Sequence, residues 1–443
     1  MKNTKILKSI KAISDGLADG GCEYATNFPG FNSHAIFNSL GYFDISLNEK
    51  IAYQKAFGGS MAGKRSAVLF KGTGLNVALD EYLHSVLNGI NAGLVVILTD
   101  DLEGESSPEI QDSRPIIDMY GGLWFEPYSN QNAYDVCRSA FEISEELDVP
   151  VVIRLTNNYF RNVDDYQRNK LVKAKKNFKS DARRSKYISY WKPRYENLQK
   201  KNKKIQLFCN NLYKINKKFE TTIVGSSTPE INKTKNNVRI YTYPLPTSIL
   251  NLKKNISVFE NGDPYVYSKL LININNKLVN KLSNKINPNT KQWKKWDGDE
   301  KLFKALQRIK PSYVVADEGV YTDESTNTNN VCLCMGSAVG IAMGMAENGT
   351  EYPFCISGDT AFSFGNVHSL FEAKSKNNKF CLIVINNGGA VSTGGQKVAY
   401  DFRNLTICKT VTLDYNRTSI KTLMNTLNEI RKNNELTVLN INK

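Results

Sequence analysis

The sequence predicts an α/β protein with two parallel-sheet domains joined by a smaller, irregular middle region. Three observations carry that reading. Apolar runs of strand length alternate with helical patterns from residue 1 to about 160. The alternation resumes from about 311 and continues to 443. Over 161–310, Lys and Asn displace the apolar periodicity, and Pro244, Pro246, Pro264 and Pro288 punctuate the chain. A length of 443 residues is enough for two or three separate cores.

In the first region, 1–160, the pattern places a helix over 6–17, strands over 66–70 and 93–101, a helix over 136–147 and a strand over 150–156. In the third, 311–443, strands over 313–316, 352–357, 380–385 and 436–441 alternate with helices over 335–345, 364–373 and 419–432. Strands this uniformly apolar belong to parallel sheets covered on both faces.

Composition and charge exclude several function classes. No apolar run approaches the roughly 18 residues of a membrane span, so a cytoplasmic protein without a membrane partner is expected. The eight cysteines include no C-x-x-C pair, so neither a disulfide framework nor a zinc site is expected, and Cys332 and Cys334 read as core. The net charge of +15 is local: residues 161–235 hold 21 Lys plus Arg against 6 Asp plus Glu, which accounts for all of it. Phe178, Tyr187, Tyr190, Trp191 and Tyr195 interleave with those bases, as they can in single-strand binders. A solvated Lys-rich face explains the same residues, and nucleic acid is not expected as the main partner.

The chemistry-bearing pattern lies near the C-terminus. Ser357-Gly358-Asp359 ends one apolar run and Asn386-Asn387-Gly388-Gly389 ends the next, with 27 residues between Asp359 and Asn387. Two parallel strands joined by a helix bring both tips to the sheet edge where α/β proteins bind ligands. A carboxylate, an amide oxygen and a backbone carbonyl there suit a magnesium ion shared with a diphosphate. Both pairs are also ordinary turn signals, so two unrelated strand ends remain an alternative. Gly336, Gly340 and Gly344 recur every four residues along one expected helical face. Such glycines serve either close helix packing or a phosphate at the helix N-terminus.

Six ordered stretches carry a family resemblance: Gly74-Leu75-Asn76-Val77-Ala78, Gln111-Asp112-Ser113-Arg114, Thr242-Tyr243-Pro244-Leu245-Pro246, Leu333-Cys334-Met335-Gly336-Ser337, Gly358-Asp359 and Thr393-Gly394-Gly395-Gln396. With Asn48-Glu49-Lys50-Ile51-Ala52 and Gly58-Gly59-Ser60-Met61-Ala62, they resemble the thiamine-diphosphate-dependent enzyme superfamily. Within it, the chain is most similar to the alpha subunit of indolepyruvate ferredoxin oxidoreductase. The resemblance covers roughly 1–160 and 310–400 and is poor in the middle. It implies a pyrimidine-binding domain over 1–160 and a diphosphate-binding domain over 311–443, flanking the basic Lys/Asn-rich middle region 161–310.

The resemblance also implies roles. Glu49 would be the carboxylic group at the pyrimidine N1' of thiamine diphosphate. Asp359, Asn387 and the carbonyl of Gly389 would hold Mg2+. Gly30, Asn76, Met335, Gly336, Gly358, Thr360 and Val391 would complete the cofactor contacts, and the site would be shared across a homodimer.

Departures from the family pattern matter equally. Gly72 and Glu105 stand where the family often has histidines, so proton transfer would fall to Glu105, another carboxylate or water, with His34, after the Pro29-Gly30 turn, the best-placed imidazole. The alpha subunits resembled here continue into a cysteine-rich ferredoxin-like domain, whereas this sequence stops at Lys443 without clustered cysteines. The expectation is therefore a 2-oxo acid decarboxylase or carboligase that protonates the enamine or adds it to a second carbonyl, with no iron-sulfur cluster. The alternatives are the catalytic subunit of a split oxidoreductase with a separate electron-transfer subunit, and an inactive cofactor-binding paralogue.

Overall fold

The computed structural model describes residues 2–106, 110–170, 191–213, 221–225, 237–252, 256–260, 265–266, 268–270, 299–319, 328–391, 395–398 and 406–443. Much of the basic segment, including Phe178, Tyr187 and Tyr190, lies outside the described residues, as do Thr393 and Gly394.

The N-terminal domain is built on β1 (Tyr24–Asn27), β2 (Ser66–Lys71), β3 (Leu94–Asp100), β4 (Leu123–Phe125) and β5 (Val151–Thr156). They lie in the order β1-β2-β3-β5-β4, all parallel. β3 is buried at every residue, as its unbroken Leu-Val-Val-Ile-Leu run requires. The Lys2–Asp19 and Asn130–Leu147 helices pack against each other. The short β1 and β4 were not foreseen, because runs of four and three residues carry too little periodicity.

Among its described residues the middle region carries short strands. It supplies β6 (Thr221–Gly225), β7 (Asn237–Ile240), β8 (Thr242–Tyr243) and β9 (Ile256–Phe259). Strands β7-β6-β9 form a small parallel sheet, and β8 extends the N-terminal sheet antiparallel to β4. That junction is sealed by Trp124 stacked on Tyr243 at 3.7 Å between ring centroids. These strands are short and set among Lys- and Asn-rich stretches, which hides their pattern in the sequence.

The helix Glu300–Ile309 shares a core with the helix Ile420–Asn433 through Leu302, Leu306, Leu423 and Leu427. A second sheet runs β11-β10-β12-β13-β17-β16, from β10 (Val314–Ala316), β11 (Val331–Cys332), β12 (Phe354–Gly358), β13 (Cys381–Asn386), β16 (Lys409–Asp414) and β17 (Thr437–Asn442). A two-stranded ribbon, β14 (Gly389–Ala390) with β15 (Gln396–Lys397), projects beyond β13. Among the described residues, no helix is long and apolar enough to cross a membrane.

The two sheets are coupled by a pair of helices. Glu49–Met61 of the N-terminal domain lies against Ala338–Glu347 of the C-terminal domain. The backbones approach so closely that a Cβ on Gly344 would lie 2.0 Å from the carbonyl oxygen of Lys55. One on Gly58 would lie 2.3 Å from that of Ile341. The glycine periodicity thus serves helix-on-helix packing between domains. Gly336 is not on that face: it sits in the turn before the helix with φ +74, a left-handed conformation that glycine adopts without strain. Lys55 reinforces the seam, buried between Glu372 at 2.9 Å and Glu347 at 3.3 Å.

Candidate active site

The C-terminal wall begins with register. Gly358 pairs with Ile385 across β12 and β13, so the turns that follow leave the sheet side by side. Asp359 is 1% exposed. Its Oδ2 accepts the Gly388 N–H at 2.8 Å, while Oδ1 accepts the Thr360 N–H at 2.6 Å and its hydroxyl at 3.2 Å. Asn387 Oδ1 accepts the Gly389 N–H at 3.3 Å. Asp359, Asn387 and Gly389 therefore stand together, and their oxygen-rich donor set fits a hard cation bound with phosphate. Val391 follows, partly exposed, and Met335 is half-buried beside Gly336.

Gly336 is held by both domains. Its carbonyl accepts from Gln54 Nε2 at 3.1 Å, and a Cβ there would meet Phe364 Cδ1 at 3.0 Å. The helix N-terminus after it is not open to phosphate. Buried Asp317 accepts the N–H groups of Ser337 and Ala338 at 2.8 Å each, and Asn366 Oδ1 accepts that of Val339 at 3.1 Å. A carboxylate of the chain thus takes the place that the sequence reading allowed for an anion. Asp317 also accepts from Ser357 Oγ at 2.6 Å and from Asn366 Nδ2, tying the Gly336 turn to the Gly358-Asp359 turn. Burial pushes its carboxyl up against the pull of these hydrogen bonds. Replacing Asp317 with Asn leaves an amide facing donors, so urea unfolding should show a loss of about 1–2 kcal/mol, with weaker binding of any ligand between the two turns.

The N-terminal wall lies at the carboxyl edge of the first sheet. Asn48 caps the helix through its side chain, which accepts the Ile51 N–H at 2.8 Å, and this fixes Glu49 in the first turn. Glu49 is half-buried, and burial raises its carboxyl above the ordinary carboxylate value. Among the described residues it has no hydrogen-bonded or ion-paired side-chain partner. It leans on Gly74 so closely that a Cβ there would lie 2.7 Å from its Oε1. Lys50, one residue on, sits 4.4 Å from the Phe364 ring centroid and 3.3 Å from Glu81 Oε1. Lys50 and Gln54 therefore face the Phe364-Gly365 segment and the turn at Gly336.

The remaining expected residues are spread along the same edge. The Gly30 turn backs onto Lys71, whose Cβ would lie 2.7 Å from a Cβ on Gly30. Asn76 is exposed and exchanges hydrogen bonds with Gln111 at 2.7 and 3.2 Å. Gln111 also donates to the Gly72 carbonyl at 3.2 Å. Glu105 is exposed, and its carboxylate accepts from Arg161 at 2.8 Å. His34 is exposed on the helix Ser33–Ser39. A cavity of about 480 Å3, lined by Tyr24, Tyr42, Lys55, Glu347 and Lys376 among others, opens at the domain seam but shares none of these site residues.

Sequence reasoning missed the supports. Arg154, fully buried, binds Asp100 at 2.6 Å, Glu126 at 2.5 Å and Asp112 at 3.2 Å, while Arg114 binds Asp112 and, at 2.6 Å, Glu260 of the middle region. This network fixes the Gln111–Arg114 stretch that holds Asn76. An Arg inside the apolar strand 151–156 was its visible signal. Asp317 likewise ends an apolar run, as Asp359 does.

The structure thus has two parallel α/β domains, one presenting a half-buried glutamate and the other an Asp/Asn turn rich in oxygen. Comparison with known proteins shows what the chain resembles. Residues 313–435 match the family described as thiamine pyrophosphate enzyme, C-terminal TPP binding domain, thiamine pyrophosphate being thiamine diphosphate. Over 159 residues the chain is 35% identical to indolepyruvate oxidoreductase subunit IorA of Pyrococcus horikoshii, a match covering 34% of this chain and 24% of the relative. The match thus spans about a quarter of that relative's length. The alpha subunit of sulfopyruvate decarboxylase from Methanococcus maripaludis is 21% identical over 165 residues, covering 35% of this chain and 98% of the relative. The thiamine diphosphate-dependent 4-hydroxybenzoylformate decarboxylase of Rhodococcus jostii RHA1 aligns over 98% of this chain and 99% of its own, with a TM-score of 0.55 at 12% identity. The chain has the fold of thiamine-diphosphate-dependent enzymes, and its C-terminal domain is similar to the C-terminal TPP binding domain of thiamine pyrophosphate enzymes.

Proposed function

We propose that the protein is a thiamine-diphosphate- and Mg2+-dependent enzyme that decarboxylates a 2-oxo acid, releasing an aldehyde or joining the product to a second carbonyl. The observation that supports this reading is a half-buried Glu49 on the helix whose Gln54 holds the Gly336 turn of the other domain, a turn tied through Asp317 to the Asp359 turn. When bound, thiamine diphosphate supplies the electron sink for decarboxylation. Asp359, Asn387 and the Gly389 carbonyl would hold the cation, and Gly336, Gly358, Thr360, Met335 and Val391 the diphosphate side. Glu49, its carboxyl raised by burial, would hold a proton at the aminopyrimidine ring nitrogen. Gly30 and Asn76 would complete the cofactor contacts, with His34 or Glu105 moving protons. A homodimer and a cytoplasmic location complete the proposal.

The similarity to an indolepyruvate oxidoreductase subunit favours a second reading, in which this chain works with a separate electron-transfer subunit. One experiment separates the two. Purified protein with thiamine diphosphate, Mg2+ and a panel of aliphatic and aromatic 2-oxo acids should release CO2 without any electron acceptor. Release that depends on an added ferredoxin and partner chain would support the second reading, and no release under either condition would overturn both.

A further inference from the structure

We propose that Asp80, His84 and Cys334 form a binding site for a divalent transition-metal ion of the zinc class, bridging the two domains next to the Gly336 turn. Asp80 and His84 lie one turn apart on the helix Leu79–Asn88, and Cys334 stands two residues before Gly336. The potential ligand atoms of all three lie within 4.8 Å of one another. His84 Nδ1 is 3.0 Å from Asp80 Oδ1. Zinc bonds of about 2.0 Å to nitrogen and 2.3 Å to sulfur put tetrahedral ligand atoms about 3.5 Å apart, so small side-chain rotations close the site.

A neighbouring carboxylate lies against the same cysteine. Glu81 is fully buried, accepts a hydrogen bond from Cys334 Sγ at 3.5 Å through Oε1, and has an Oε2 with no hydrogen-bond partner among the described residues. A buried carboxylate oxygen left in that state is costly, and a cation beside it removes the cost. Lys50 offsets the charge of Glu81. One Asp carboxylate and one thiolate then balance a dication. Thiolate, imidazole and carboxylate together select Zn2+ or Co2+ over Mg2+, which keeps this site chemically separate from the oxygen-only turn at Asp359. Binding forms the metal–sulfur bond as the thiol proton leaves to solvent, so proton release accompanies uptake. The residues are 250 positions apart in sequence between His84 and Cys334, which is why no motif announced them.

The test uses the full chain, stripped with chelator and titrated with Co2+ in excess Mg2+ without thiamine diphosphate. Expected are a saturable thiolate-to-cobalt charge-transfer absorption, intense visible bands of four-coordinate cobalt, displacement by Zn2+ and a raised unfolding temperature. Cys334→Ala should lose the charge-transfer band. His84→Ala, at a partly exposed position, should lose saturable binding while folding normally by circular dichroism. Asp359→Asn should leave the spectrum unchanged. Absence of the absorption in the wild type, or its persistence in Cys334→Ala or His84→Ala, would overturn the proposal.

Discussion

Glu49→Gln should lower turnover of the preferred 2-oxo acid by at least about 100-fold, the scale of a lost proton-transfer group, while thiamine diphosphate affinity changes little. Gln is isosteric and keeps the contact with Gly74, so the helix start survives. It cannot exchange a proton. The same variant carries a signed stability prediction. Because burial raises the Glu49 carboxyl in the folded chain, the folded state binds more protons than the unfolded state between the ordinary and the raised value. Stability contributed by this group is therefore full at acid pH and falls as pH rises through that window. Gln removes the penalty, so the cofactor-free variant should unfold at a higher temperature than wild type at neutral pH, with the difference vanishing in acid. Equal melting temperatures across pH, or surviving turnover, would remove Glu49 from its role.

Gly344→Ala should destabilise the protein by about 3 kcal/mol or more, as expected for severe overpacking. The sign is the informative part. In an exposed helix interior this exchange stabilises by about 1 kcal/mol through helix propensity. Here the added methyl would lie 2.0 Å from a backbone carbonyl, which has no rotamer with which to yield. The helices must separate, and with them Gln54 from Gly336 and Lys55 from Glu372. Chemical unfolding should show a lower midpoint or a split transition. A stabilised Gly344→Ala would mean that the domain seam is not packed as described.

Much of this architecture was legible in the chain because long buried strands leave unbroken apolar runs: β2, β3, β5, β12, β13 and β17 all correspond to expected strands. β16 escaped because it is an edge strand with a half-exposed Lys-Thr-Val-Thr-Leu-Asp sequence. The middle sheet escaped because its strands are four or five residues long. At the site, Asp359 and Asn387 were readable from strand ends alone, since parallel register delivers consecutive tips to one edge. The partners of Gly336 were not. Gln54 reaches it from 282 residues away and Asp317 holds the adjoining Ser337 N–H from 20 residues away, and hydrogen bonds over such separations leave no periodic trace. The glycine repeat was readable as close packing, but its partner, the helix Glu49–Met61 of the other domain, depends on how the domains meet.

The central claim is that the Asp359/Asn387 turn and Glu49 enclose a thiamine diphosphate site closed by a hard cation. Calorimetric titration of thiamine diphosphate into the metal-free chain, with and without Mg2+, tests it most directly. Saturable binding that requires Mg2+, competes with inorganic pyrophosphate and is lost in Asp359→Ala is the predicted result; binding that is absent, or equal with Mg2+ removed and Asp359 replaced, would contradict it.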